Sequence, residues 1–155
     1  MSNDRSPSVP STLTDRWAEL LEEATAIADR YRADGRETAL VHPGDVTPLV
    51  EEPIGLDVVV PGNEFDAVAA AVEDRRFDRT RIYRFDGEDA RLFVITVKDA
   101  VEAAVVVPAY LPYADLPDLR GRAYDAERMA THVRPLSDDK RVTFEHDDPT
   151  LFFPE

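Results

Sequence analysis

Between Arg81 and Val107 three β-rich segments follow one another with connections too short for anything but a turn, and this run constrains the fold more than any other feature. Residues 81–85, 91–97 and 101–107 are rich in the branched and aromatic side chains that suit a pleated surface. The loops that join them contain Asp86-Gly87 and Lys98-Asp99, which predicts antiparallel hairpins. The middle segment, Arg91 to Val97, is apolar at nearly every inner position, so it is expected to be buried on both faces.

Helical periodicity flanks this run. Trp17, Leu20, Leu21, Ala24, Ile27, Ala28 and Tyr31 recur at steps of three and four, which predicts a helix from Thr14 that Gly35 stops. Thr38 to Val41 then reads as a short strand, and His42-Pro43-Gly44-Asp45 suits a type II turn. A looser, proline-containing stretch leads to Gly55, followed by a strand from Leu56 to Val60. Beyond Pro61-Gly62, Asn63 is placed to cap a helix carrying Phe65, Val68, Ala69 and Val72. Past the three central strands, Pro108, Pro112 and Pro117 are expected to break the sheet. Asp115 is then placed to cap a helix bearing Leu116, Leu119, Ala123 and Met129. A final hairpin is expected to run Thr131 to Leu136, turn through Ser137 to Lys140, and return along Arg141 to His146.

The outcome is an α+β fold, a mainly antiparallel sheet with packed helices. Its order, α-β-β-α-β-β-β-α, resembles profilin-like and roadblock-like domains, with a C-terminal hairpin added; that likeness carries no function. Residues 1–13 are polar and lack periodicity, which predicts a mobile leader, and residues 14–155 are expected to form a single domain.

Charge sets the expected surroundings. The 155 residues carry 32 acids against 18 bases, a formal net charge of -14, and only Lys98 and Lys140 are lysines. Such a chain repels itself in dilute buffer, whereas at about 1 M salt the screening length falls to roughly 3 Å. A high-salt solvent and the cytoplasm of a halophile are therefore expected. The acidity argues against DNA or RNA, whose phosphates demand a basic face. No apolar stretch is long enough to span a membrane, and without cysteine the chain has no thiol chemistry.

Several segments together resemble an uncharacterised haloarchaeal protein family: residues 42–49 (HPGDVTPL), 55–62 (GLDVVVPG), 107–110 (VPAY), 131–136 (THVRPL) and 142–149 (VTFEHDDP). The similarity spans Thr14 to Phe153. It implies a halophilic source and carries over no functional residues.

Phosphate loops, dinucleotide fingerprints, nucleophile elbows and zinc-protease helices are all missing from the sequence. The candidate residues are correspondingly scattered. His42 and Asp45 flank a tight turn, where a ring nitrogen and a carboxylate could share a proton or a metal; the plain alternative is a well-formed turn. Asp57 lies in an apolar strand, on the face opposite Leu56, Val58 and Val60. Val59 stands where a second carboxylate of a nucleotidyl-transfer site would be, so an Arg-paired or solvated Asp57 is the expectation.

Arg75, Arg76, Arg79, Arg81 and Arg84 crowd together with Phe77 and Tyr83, offering guanidinium forks to a phosphate ligand. Ion pairs with Asp74 and Asp78 are the competing role. In the last hairpin a four-residue turn would set His132 opposite Glu145 and Arg134 opposite Thr143, forming either a His-carboxylate-Arg site or ordinary cross-strand pairs. His146-Asp147-Asp148 is a poor metal set, because neighbours in a strand point opposite ways. No metal or cofactor is expected. The sequence favours a non-enzymatic binding or scaffold module, working with a homodimer mate or protein partner. The alternative is a small enzyme or phosphate-ligand-binding protein using His42, Asp45 and Asp57 or the arginine cluster.

Overall fold

The computed structural model describes residues 14–137 and 139–155, so the leader expected at 1–13 lies outside the described residues. Among them are three α-helices and eight strands in two mixed sheets, an α+β fold as expected. The elements are α1 (Thr14–Ala33), β1 (Glu37–Leu40), β2 (Asp45–Leu49), β3 (Gly55–Val59), α2 (Gly62–Val72), β4 (Arg79–Asp86), β5 (Ala90–Lys98), β6 (Ala103–Pro112), α3 (Leu116–Ala126), β7 (Met129–Arg134) and β8 (Val142–His146). A short 3-10 turn, Pro149–Leu151, precedes the C-terminus.

The expected single sheet is divided in two. One sheet has the order β1-β6-β5-β4, with β1 parallel to β6 and the rest antiparallel. The other has the order β2-β3-β7-β8, with β3 parallel to β7. The division follows from β2, which the sequence hides: Asp-Val-Thr-Pro-Leu contains a proline and little apolar alternation, yet it pairs along its whole length with β3. As an edge strand it tolerates Pro48, because only one side of its backbone joins a ladder.

The central hairpins form as predicted, and β5 is buried from Ala90 to Val97. Even-numbered residues on β5 and β6 face α1, where Tyr31 donates to the Thr96 hydroxyl at 3.4 Å and Trp17 meets Tyr110 edge-on. The odd-numbered face takes the chain's end, with Phe93 and Phe152 rings 5.4 Å apart. The apolar cluster continues to Phe153, which like Phe152 is wholly buried. At Gly35, φ of +88° turns the chain out of α1 through a conformation glycine adopts without strain.

Three expectations about element ends fail. Strand β6 runs through Pro108 to Pro112, because β1 has ended its pairing at Val106 and leaves the far side of the prolines without a ladder to break. Helix α2 starts two residues early, with Pro61 in place of Asn63 at the cap position and no side-chain cap bond. Helix α3 stops before Met129, which opens β7, because Glu127 takes a left-handed conformation that ends the helix. Asp115 does sit at its cap position but makes no side-chain cap bond.

Glycine at 55 is a requirement of the second sheet. A Cβ there would lie 1.9 Å from the carbonyl oxygen of Ala130, so only glycine lets β3 and β7 lie side by side. No helix among the described residues is long and apolar enough to cross a membrane.

Candidate functional site

One face of the second sheet carries a row of polar side chains. Its register aligns Thr47, Asp57, His132 and Thr143 in a row across all four strands, directly opposite one another. The next row brings Asp45, Val59 and Arg134 together at the ends of β2, β3 and β7. Arg134 therefore sits diagonal to Asp57, and its Nε donates to the two carboxylate oxygens at 3.2 and 3.0 Å. Asp57 is thus Arg-paired, one of the two states expected of it. The pair is only 13% and 24% exposed at the carboxylate and guanidinium, which makes it a fixed strut.

An open groove of about 950 Å³ lies where β3 and β7 end and α2 begins. Val59, Val60, Pro61, Pro135 and Leu136 give it apolar walls, and His42, Asp45 and Arg134 supply polar groups. Leu136 is 86% exposed on its lip, unusual for a large aliphatic side chain. Parallel strands put their carboxyl ends on one side, and a crevice there is where α/β proteins commonly seat ligands.

His42 is held by a residue the sequence analysis missed. Glu64, in the first turn of α2, accepts the His42 backbone N–H at 2.6 Å through Oε1 and meets Nδ1 at 2.7 Å through Oε2. The type II turn expected at 42–45 does not form: Gly44 lacks the positive φ such a turn needs and donates its N–H to the Val59 carbonyl, so the segment runs straight into β2. The helix that follows β3 then swings Glu64 back onto His42 from 22 residues away. The pairing of β2 with β3 makes this return possible, and with β2 unread no signal pointed to Glu64.

A recess of about 450 Å³ adjoins the groove on the other side of Arg134, lined also by Asp57, Lys140 and Arg141. The two cations were missed as well, although Lys140 is one of only two lysines and stands beside an arginine. Neither forms an ion pair with a described residue, in a chain where most arginines do.

The hairpin register is shifted from the expectation. His132 stands opposite Thr143, not Glu145, and Arg134 lies past the last β7–β8 pair, because residues 135–141 make a longer connection than a four-residue turn. Pro135 cannot donate to the ladder and ends β7 there. A shift of two residues keeps every side chain on its predicted face.

His132 is fully buried, with Nδ1 2.9 Å from the Thr143 hydroxyl and Nε2 3.4 Å from the Pro53 carbonyl oxygen. Burial, aided by the positive charge of Arg141, pushes its pKa below the usual histidine value against the opposing pull of the Pro53 carbonyl. His146 is also buried, between the hydroxyls of Thr80 and Thr131, each 2.9 Å from a ring nitrogen. Burial lowers its pKa to about 4. Both rings bridge strands as neutral groups. Asp148 spends its carboxylate on the N–H and hydroxyl of Thr150, and among the described residues no acids and histidines cluster as a metal site.

The arginine cluster does not converge. Arg75 is tied to Glu37 and Glu102 beside β1, and Arg76 and Arg79 share Asp78. On β4, Arg81 lies over the Tyr83 ring on one face, while Arg84 reaches the Leu151 carbonyl on the other. Strand alternation places consecutive odd and even positions on opposite faces, so a run of arginines that is dense in sequence is dispersed in space. A further recess between α1 and the β4–β5 hairpin, about 410 Å³, has acidic walls and holds none of the candidate residues.

Fold and site thus define an α+β protein with a half-apolar groove at the end of its second sheet. The chain belongs to the Family of unknown function (DUF7529), whose model matches residues 3–154. No curated protein and no solved structure matches it.

Proposed function

We propose that this protein is a small-molecule binding module, and that the groove at the ends of β3 and β7 is its working face. The convergence of His42, Asp45 and Arg134 on one apolar-walled groove carries this reading. Ligand sites are concave, mostly apolar and furnished with a few placed polar groups, and the groove has that composition. The two polar anchors are braced from behind, His42 by Glu64 and Arg134 by Asp57, so neither side chain has to be ordered when a ligand arrives. The dispersed arginines speak against the phosphate site that they would have formed on β4. A haloarchaeal cytoplasm is the proposed setting, on the strength of the net charge of -14.

A thermal-melt screen in molar KCl against nucleotides, sugars, amino acids and organic acids tests the reading. A ligand at a hundred times its Kd adds about 2.7 kcal/mol, roughly 5 to 10 °C for a chain this long. The shift is expected in the native protein and absent in Leu136→Asp, which places a charge on the lip at an exposed position. A flat screen, or equal shifts in both proteins, rejects the groove as a ligand site.

A further inference from the structure

We propose that His42 is a proton acceptor aimed into the groove, with Glu64 as its positioning residue, so that the bound ligand presents a hydroxyl or N–H to Nε2. The inference rests on the reading of the groove as a ligand site and adds what that site does to its ligand.

A carboxylate offers only acceptors, and Glu64 takes two donors from the same residue, the main-chain N–H of His42 and its Nδ1–H. The first contact fixes the backbone and the second fixes the tautomer. With the proton on Nδ1, the lone pair is on Nε2, and no described residue bonds that nitrogen. The His42 side chain is 51% exposed and lines the groove, whereas Glu64 is 19% exposed and sits behind it. Glu64 also occupies the first turn of α2, where the positive end of the helix favours an anion.

The other two histidines make the contrast. His132 and His146 are buried and have a partner on each nitrogen, so neither can receive a proton from a ligand without losing a structural bond. Of the three, only His42 lines the groove and combines a braced nitrogen with one that no described residue bonds, the arrangement in which a carboxylate orients an imidazole for proton transfer. In the transfer the ligand's O–H bond breaks, its proton joins Nε2, and the oxygen keeps the electron pair. The imidazolium that results is offset by the Glu64 carboxylate, and the proton returns to the ligand before it leaves.

Two readouts on the full-length protein test this without knowing the ligand. Nitrogen-15 NMR of the neutral ring is expected to give the Nδ1–H tautomer for His42, and Glu64→Gln, which has one acceptor oxygen instead of two, is expected to lose that preference. Diethyl pyrocarbonate, which acylates an unprotonated ring nitrogen, is expected to modify His42 about tenfold or more faster than His132 and His146, whose rings it reaches only through opening fluctuations. An Nε2–H tautomer in the native protein, a tautomer unmoved in Glu64→Gln, or equal reactivity of the three rings overturns the proposal. A flat ligand screen beside the expected tautomer rejects the binding reading and with it the proton transfer to a ligand; a ligand shift beside an Nε2–H tautomer rejects the proton acceptor alone.

Discussion

At the scale of the residue, three histidines with one side-chain chemistry have three separate roles because of what stands within 3 Å or so of their rings. His42 faces a carboxylate and a cavity, His132 a hydroxyl and a carbonyl, and His146 two hydroxyls. Nothing local in the sequence distinguishes them: His132 and His146 both lie in alternating strand segments, and the burial that makes them neutral comes from elements far away in the chain. His146 makes a prediction with a definite sign. Its folded pKa of about 4 lies below the ordinary histidine value, so the unfolded chain binds the proton more readily. Its contribution is fully present above about pH 6.5 and is lost as pH falls from there through about 4, a span that amounts to about 3 kcal/mol. Urea titrations at pH 7 and pH 4.5 are expected to show the loss, and His146→Gln to flatten the slope of stability over that window. An unchanged slope in the variant would place the acid sensitivity elsewhere.

At the scale of the element, periodicity served where one face dominates and failed where pairing partners decide. Helix α1 was legible because its apolar stripe needs only a flat surface to pack on, and β4 to β6 because short loops leave hairpins no choice. Strand β2 was not, since Thr47, Pro48 and Asp45 give no alternation, and its pairing is imposed by β3. Losing β2 also hid the site, because Asp45 meets Arg134 in register only through Val59. The β3–β7 pairing has its own single-residue test. Gly55→Ala forces a methyl to within 1.9 Å of the Ala130 carbonyl oxygen, backbone against backbone, with no flexible side chain to give way. A loss of at least about 3 kcal/mol is expected in chemical denaturation. A mild effect would mean that β3 and β7 can separate at that end without disturbing the sheet.

At the scale of the molecule, the net charge of -14 dominates. Ion pairs place cations beside acids at many points, Arg36 with Asp99 and Arg91 with Asp86 and Glu155 among them, but bases are too few to offset the acids. Raising KCl from about 0.1 M to 1 M shortens the screening length from roughly 10 Å to 3 Å, so the melting temperature is expected to rise across that range. A melting temperature that is flat or falls in KCl would remove the halophilic reading. The sequence by itself determined this charge, the α+β class, the central hairpins and α1, since each depends on composition, local periodicity or short connections. Tertiary structure alone decided that the strands divide into two sheets, that the arginines of β4 disperse, and that Glu64 braces His42. Those outcomes depend on which distant backbones pair, and a parallel ladder such as β3 with β7 is closed by contacts more than 70 residues apart, which no local pattern records.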